Sequence, residues 1–423
     1  MAALYSLGIR IFVALVHLAA LAHPKARSWV TGRRHWRQTL RQHWHPTPAD
    51  RVLWVHAASL GEFEQGRPLI EAFRTAYPHW KIALTFFSPS GYLIRKNYPG
   101  ADWVGYLPAD TPENARDFLA LLRPDLAVFV KYEFWANYLF ALQNRNTPVL
   151  LISALFRPDQ PFFQWYGGHW RRMLDCFAHI FVQNEDSMRL LRQYGQDKVS
   201  LAGDTRIDRV LALPASAPEN PIVAAFAHRK DHFTLVAGST WPADEAALIP
   251  LLINPAFEAW RLVVAPHEPS EENVQALEKR LHNADPSLAV LRYSQANPEN
   301  APEARVLILD NVGWLNGLYR YGYAAFIGGG FGRGIHNTLE PAAFGLPVLF
   351  GPKFQQFEEA RQMQTEGGAF PCVSTEQICQ ILKTLENPSQ RTKASAATKR
   401  FLEENKGATE KILSFIRREL NIQ

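Results

Sequence analysis

The chain has 423 residues, enough for two or three domains with real cores, and its 47% hydrophobic and 20% charged content excludes a disordered or low-complexity protein. The net charge of +5 is mild. Three cysteines, Cys176, Cys372 and Cys379, form no CxxC pair and no metal-ligand spacing, which argues against a disulfide framework and for a reduced compartment.

Leu4 to Leu21 is mostly apolar, interrupted by Arg10 and His17. The length is borderline for a membrane span, and Arg10 makes a helix lying in the interface an equal reading. Lys25, Arg27, Arg33, Arg34, Arg37 and Arg41 follow with no acidic residue among them, a segment suited to anionic lipid. Strands are expected at Arg51 to His56, Lys81 to Phe87, Leu126 to Val130, Val149 to Ile152 and His179 to Val182, with helices between them. That alternation specifies a parallel sheet covered on both faces, with ligands at the carboxyl ends of the strands. His56, Ser59, Glu62, Ser88, Glu133 and Arg157 fall at those ends.

A Pro/Ala-rich stretch, Leu213 to Pro221, is the best linker candidate. The alternation then restarts. Phe233 to Ala237 ends in Gly238-Ser-Thr240, Trp260 to Val264 in Ala265-Pro-His-Glu268, and Val306 to Leu309 in the turn containing Val312, Gly313, Trp314 and Leu315. Ala324 to Ile327 runs into Gly328-Gly-Gly-Phe-Gly-Arg-Gly-Ile-His-Asn-Thr-Leu-Glu340, and Pro347 to Phe350 is one more strand. Strand, glycine loop and helix start are expected to form an anion site with free backbone N–H groups. The fold class is α/β: two consecutive Rossmann-like halves whose polar strand ends face a cleft, an arrangement for a two-substrate enzyme. The boundaries expected are a membrane-associated helix over 1–24, one domain over 25–212 and a second over 222–423.

The motifs carry a resemblance. His56-Ala-Ala-Ser-Leu-Gly-Glu62 is similar to the HAxSxGE signature of the Kdo transferases, which add 3-deoxy-D-manno-octulosonic acid to a lipid A precursor. Glu133-Phe-Trp135, Gly203-Asp-Thr-Arg206, Gly238-Ser-Thr240, Pro266-His267 and Gly334-Ile-His-Asn-Thr-Leu-Glu340 resemble further family motifs in the same order. The resemblance implies a glycosyltransferase of the GT-B type on the cytoplasmic face of the bacterial inner membrane. Its partners are then CMP-Kdo as donor, a lipid A precursor as acceptor and the membrane surface, with no nucleic acid and no cofactor. Three positions depart from the pattern. Trp314 stands where the family usually has Glu, Arg206 where it usually has Lys, and the family's Asn-Ala-Arg segment is not evident around Ser153 and Ala154.

By resemblance Glu62 is the base that takes the acceptor proton, with Glu64 the competing carboxylate and a helix-cap role the plain alternative. Glu133 is matched to transition-state stabilisation, against a surface ion pair with Lys131. Arg206 is expected to neutralise the sugar carboxylate or the departing phosphate, against an ion pair with Asp204 or Asp208. Ser239, Thr240, Pro266, His267, Val312, Gly313, Trp314, Leu315, His336, Asn337, Thr338, Leu339 and Glu340 are the expected donor contacts, Glu340 for the ribose hydroxyls. No DxD pair stands where a metal would bridge a diphosphate, so no metal is expected. A glycosyltransferase using another nucleotide sugar and a non-enzymatic membrane scaffold remain the alternatives.

Overall fold

Near-continuous apolar runs bounded by glycine, proline and helix caps become parallel strands buried on both faces. In the computed structural model, which describes residues 2–228, 231–311 and 313–420, they build two seven-stranded sheets, each in its own unit. The first unit comprises the residues up to Asp208 together with those from Lys406 onward, and the second runs from Arg209 to Asn405.

The first unit opens with helices α1 (Ala2–Ala19), α2 (Pro24–Arg33) and α3 (Trp36–His43). Strand β1 (Val52–Ala57) leads into helix α4 (Leu60–Ala76). Then come β2 (Lys81–Phe86), β3 (Trp103–Tyr106), β4 (Leu126–Val130), β5 (Val149–Ala154), β6 (His179–Val182) and β7 (Val199–Leu201). The order across the sheet is β3-β2-β1-β4-β5-β6-β7, all parallel. Trp54 of β1 joins the core on one face, and Leu53, Val55 and Ala57 join the core on the other. The chain starts at β1 and winds outward first one way and then the other. The ends of β1 and β4 are therefore the topological switch point, where parallel sheets open a crevice for ligands.

The second unit repeats the plan. Its strands are β8 (Phe233–Thr240), β9 (Trp260–Pro266), β10 (Val290–Arg292), β11 (Val306–Ile308), β12 (Ala324–Ile327), β13 (Val348–Phe350) and β14 (Ala369–Pro371). Their order is β10-β11-β9-β8-β12-β13-β14, so its switch point lies between β8 and β12. Helix α5 (Pro242–Ile253) follows β8, and the short α6 (Leu339–Ala343) follows the glycine loop after β12.

Two boundaries differ from the sequence expectation. The expected linker over 213–221 is not extended chain. It contains the turn of helix Leu213–Ser216 and the start of helix Pro221–Ala227, and the units divide earlier, after Asp208. The last helix, α7 (Ala408–Glu419), was expected in the second domain but belongs to the first unit. Its apolar face, Ala408, Ile412, Leu413 and Ile416, shares a core with Leu69, Ile70 and Phe73 of α4. Asp208 caps the approach, accepting from the N–H groups of Gly407 at 2.5 Å and Thr409 at 2.7 Å.

Helix α1 lies on the first unit through one face. Tyr5 donates to Asp110 (2.7 Å), Arg10 pairs with Glu113 (2.7 Å), and the Phe12 ring packs against Trp29 and Phe87. The other face carries Leu4, Leu7, Ile11, Leu15 and Leu18 at helical spacing, each between 52% and 66% exposed. Among the described residues no helix is long and apolar enough to cross a membrane. Arg33 departs from the expected basic surface. It is buried under Trp29, Phe87 and Tyr106, donates to the carbonyls of Leu107, Trp29 and Phe87, and burial lowers its pKa to about 9.

Candidate active site

At the switch point of the first unit the penultimate residue of β1 is His56, which is fully buried. Its Nε2 lies 2.8 Å from Glu133 Oε2 and its Nδ1 lies 2.8 Å from Thr85 Oγ1. Thr85 Oγ1 also accepts from the Trp54 indole N–H at 2.8 Å. In the neutral imidazole that donates to the Glu133 carboxylate from Nε2, Nδ1 is the acceptor of the Thr85 hydroxyl proton. A second donor fixes the same carboxylate oxygen, the Trp135 indole N–H at 2.6 Å. Glu133 is thus not at the surface, as the ion-pair alternative weighed from the sequence supposed. It is a buried carboxylate aimed by an imidazole and an indole.

Glu62 sits in the first turn of α4. Ser59 caps that helix through its Oγ, which accepts from the Glu62 N–H at 3.5 Å, and the Glu62 carboxylate accepts in return from the Ala58 N–H at 2.6 Å. This is a capping-box arrangement, so the structural role weighed for Glu62 is present. It does not exhaust the residue. Burial first, and then the negative charge of Glu133, raise its pKa from 4.5 to about 7, against the opposing Ala58 N–H and Lys131. A Cβ placed on the neighbouring Gly61 would meet nothing within 4 Å, so the turn faces open space. The rival Glu64 is engaged by Arg95 at 2.8 Å.

Lys131 and Ser153, at the ends of β4 and β5, have φ of 65° and 52°, a left-handed conformation that side chains rarely adopt. Ser153 Oγ lies 3.1 Å from Thr205 Oγ1, whose hydroxyl donates to the Gln65 carbonyl. Arg206 forms a forked pair with the buried Asp204, at 2.6 Å from Nη2 and 3.0 Å from Nε. Burial is the largest single influence on Asp204 and raises its pKa, but the Arg206 charge, the hydrogen bonds from Arg206 and the Lys131 charge together outweigh it, and the net shift is downward. Of the two partners weighed for Arg206, Asp204 is the one engaged, and Asp208 caps α7 instead.

At the switch point of the second unit three rings stack. The His267 and His336 rings lie 4.3 Å apart at 17°, and Trp241 lies 4.8 Å from His267 at 29°. The Trp241 indole N–H donates to His336 Nε2 at 3.0 Å. Desolvation and the neighbouring His267 lower the His336 pKa from 6.5 to about 4, and burial lowers that of His267. Both imidazoles are therefore neutral at pH 7. Ser239 has φ of 54°, and Thr240 Oγ1 donates to the buried Glu245 at 3.0 Å.

The glycine loop corrects an expectation. Its N–H groups are not all free for an anion, because the buried Asp244 carboxylate accepts from Gly329 at 2.7 Å and Phe331 at 3.3 Å. Those of Gly332 and Gly334 return to the Gly329 carbonyl. The glycines answer to close approach instead. A Cβ on Gly328 would lie 2.3 Å from the Ser239 carbonyl oxygen, and one on Gly330 would lie 2.5 Å from the Gly351 nitrogen.

Beyond the loop, Thr338 is fully buried with its hydroxyl unpartnered, and Asn337 Oδ1 accepts from the Leu339 N–H at 3.1 Å. Burial first, and then the Glu340 charge, push the Tyr319 phenol pKa up, and Tyr319 Oη lies 2.1 Å from where a Cβ on Gly238 would be. Pro266 ends β9. Gly313 has φ of 101°, Trp314 lies beside Tyr293, and Leu315 begins a short helix. Val312 lies outside the described residues.

The residues that hold the matched side chains are the ones sequence reasoning did not assign. His56 and Trp135 are visible only as parts of motifs, His56 also as a strand-end polar residue, and Thr85 as a position inside an expected strand. Trp241 and Asp244 carry a weak signal, since Trp241-Pro-Ala-Asp244 has a helix-start pattern with an acid at the third position.

A family model described as 3-deoxy-D-manno-octulosonic-acid transferase (kdotransferase) matches residues 34–209. The 3-deoxy-D-manno-octulosonic acid transferase of Bordetella pertussis is 27% identical over 388 residues, 87% of each chain. That of Haemophilus influenzae is 25% identical over 382 residues, 88% of this chain and 87% of its own. Among solved structures the calicheamicin glycosyltransferase CalG4 superposes with a TM-score of 0.54 at 11% identity, covering 88% of this chain and 99% of that one. At that identity the likeness bears on fold alone, and the fold is of the GT-B type.

Proposed function

We propose that this chain is a 3-deoxy-D-manno-octulosonic acid (Kdo) transferase, a glycosyltransferase that moves Kdo from CMP-Kdo to a lipid A precursor with Glu62 as general base, a reading supported by the family match and by the relatives similar over about 87% of the chain. The observation that carries the base assignment is the half-buried Glu62 carboxylate, on a turn whose Gly61 faces open space and raised to about 7 by burial and Glu133. A base with that pKa is largely ionised just above neutrality and still strong enough to take a proton from an alcohol in the transition state. The acceptor hydroxyl loses its proton to Glu62 as its oxygen bonds the anomeric carbon of Kdo. The bond from that carbon to the CMP phosphate oxygen breaks, and the electron pair leaves with CMP.

Glu133, Arg206 and the second unit complete the reading. Glu133 is held negative-side inward by His56 and Trp135, where it supports positive charge developing on the sugar. Arg206 neutralises the Kdo carboxylate or the leaving phosphate while Asp204 fixes its direction. Thr240 is committed to Glu245, so Ser239 is the better hydroxyl donor of that pair. The buried hydroxyl of Thr338 is a donor awaiting a partner, and Glu340 takes the ribose hydroxyls. Asn337, Leu339, Pro266, Gly313, Trp314, Leu315 and the two histidines line the same donor subsite.

Membrane attachment follows the exposed face of α1. Its stripe of five large apolar residues fits an interfacial helix rather than a span, and the exposed Lys25, Arg27, Arg34 and Arg41 add attraction to anionic lipid. Attachment at the cytoplasmic face of the inner membrane is the matching location.

The deciding experiment is Kdo transfer from CMP-Kdo, generated in situ, to a tetra-acylated lipid A precursor, with wild type beside Glu62→Gln. Product from wild type alone supports both donor and base. No product from wild type removes the substrate assignment, and full activity of a folded variant removes the base. Transfer is expected to persist in EDTA, and loss reversed by Mg²⁺ contradicts that expectation.

A further inference from the structure

The donor subsite proposed above is built from the ends of four strands, β8, β9, β11 and β12, and one short segment after β8 reaches the loops after β9 and β12. That segment is the cap of α5. Trp241 donates its indole N–H to His336, and the Trp241 backbone N–H donates to Asp244 Oδ2 at 2.9 Å. Asp244 carries the connection on to the glycine loop through Gly329 and Phe331. Neither Trp241 nor Asp244 belongs to the motifs matched in the sequence.

We propose that Trp241 and Asp244 are positioning residues for the donor site, Trp241 by holding His336 in its Nδ1–H tautomer and Asp244 by fixing the path of the glycine loop. The proposal rests on the donor reading above. It follows from donor and acceptor bookkeeping. An indole N–H only donates, so His336 Nε2 must be the lone-pair nitrogen. A neutral His336 then carries its proton on Nδ1 and can offer it to a ligand as a donor. The ring is also clamped in plane, 4.3 Å from His267, and burial and then the neighbouring His267 oppose its protonation. The site therefore presents an anionic leaving group with a fixed neutral donor rather than a mobile cation.

Asp244 acts on the loop in the same way. Its carboxylate only accepts, and it satisfies three N–H groups from two segments. The helix cap and the glycine loop can be apart only if those donors are left unmet. Asparagine at this position keeps one carbonyl oxygen but turns an amide NH₂ toward N–H groups, so it repels what the carboxylate binds.

The test uses the full chain with nitrogen-15-labelled histidine, with His336→Gln to assign the His336 signals. In wild type at neutral pH the His336 shifts should be those of the Nδ1–H tautomer. Trp241→Phe keeps a ring in the stack and removes only the N–H. It should move His336 toward the other tautomer and raise the apparent dissociation constant for CMP about fivefold to tenfold, the scale of one lost hydrogen bond. Asp244→Asn should weaken CMP by a similar factor with His336 still Nδ1–H.

A wild-type His336 in the Nε2–H tautomer overturns the proposal whatever the variants do. So does a folded Trp241→Phe with unchanged tautomer and unchanged CMP affinity, or a folded Asp244→Asn that binds CMP as wild type does. Absence of Kdo transfer by a wild type that binds CMP and shows the Nδ1–H tautomer counts against the substrate assignment and leaves the positioning role standing. A wild type that binds no CMP overturns both.

Discussion

The two switch points share a plan and differ in their charge. In the first unit a left-handed strand end, at Lys131, stands beside two carboxylates, Glu62 and Glu133, close enough that one raises the pKa of the other. In the second a left-handed strand end, at Ser239, stands beside three stacked rings, and the Asp244 carboxylate there is spent on backbone N–H groups. Burial pushes both sites toward neutrality, but with opposite consequences. It makes Glu62 a stronger base and keeps His336 from becoming a cation. One site is arranged to move a proton, and the other to receive an anion with neutral donors.

Removing the carboxylate that accepts the proton should break the comparison most severely. Glu62→Gln keeps an oxygen for the Ala58 N–H, so the cap survives and the base is lost. We expect kcat to fall about 10³-fold, within the range general-base removal produces, with little change in KM. A fall under tenfold in a folded variant would falsify the base assignment and direct attention to Glu133.

The next effect in size concerns the holder of Glu133. His56→Phe keeps a flat ring in the buried site and deletes the hydrogen bond to Glu133 Oε2. We expect kcat to drop on the order of tenfold to a hundredfold, the scale of a lost hydrogen bond to a charged group. Because Glu133 contributes to the raised pKa of Glu62, Glu133→Gln should move the acid limb of the kcat/KM profile below pH 7. An unmoved limb in Glu133→Gln would leave burial as the sole cause of the raised pKa.

How far the sequence discloses this molecule depends on position in the sheet. The five inner strands of each sheet are legible as apolar runs. The four that are not, β3, β7, β10 and β14, are the edges of the two sheets, three or four residues long and largely half-buried. An edge strand has one neighbour and one covered face, so it needs no continuous apolar run and leaves no periodic trace. The site follows the same logic. Glu62 and Glu133 could be matched because motifs carry them. Trp241 and Asp244 were not assigned because their role lies in hydrogen bonds to residues about ninety positions away. The first-unit position of α7 was equally hidden, since its amphipathic face is complementary to α4 only in space.

A smaller effect is expected at the outer face of α1. Leu7→Gln with Leu15→Gln leaves Tyr5, Arg10 and Phe12 in their contacts and removes two side chains from the exposed stripe. Binding to vesicles containing anionic lipid should weaken about tenfold to a hundredfold, given roughly 1.5–3 kcal/mol for each fully inserted leucine and only partial insertion here. CMP affinity should not change. Unchanged vesicle binding would show that this stripe is not the attachment surface.

The smallest effect reads the comparison as thermodynamics. Glu62 has a folded pKa of about 7 against 4.5 for the free group, so its contribution to stability is complete below pH 4.5 and is lost as pH rises to 7. Glu62→Gln does not ionise, and its melting temperature should gain on wild type across that window and level off above it. Two and a half units correspond to at most about 3 kcal/mol, reduced where water reaches the carboxylate. Each kcal/mol moves the transition of a unit this size by roughly 2–4 °C. His336 has the opposite sign. Its folded pKa of about 4 lies below the free value of 6.5, so the unfolded chain binds the extra proton between them and stability rises with pH. His336→Gln should therefore gain on wild type as pH falls from 6.5 toward 4, where Glu62→Gln loses its advantage. Calorimetric scans of both variants from pH 4 to 8 give the two slopes. Parallel slopes would mean that the units do not differ in the sense argued, and opposed slopes would place a raised carboxyl in one unit and a lowered imidazole in the other.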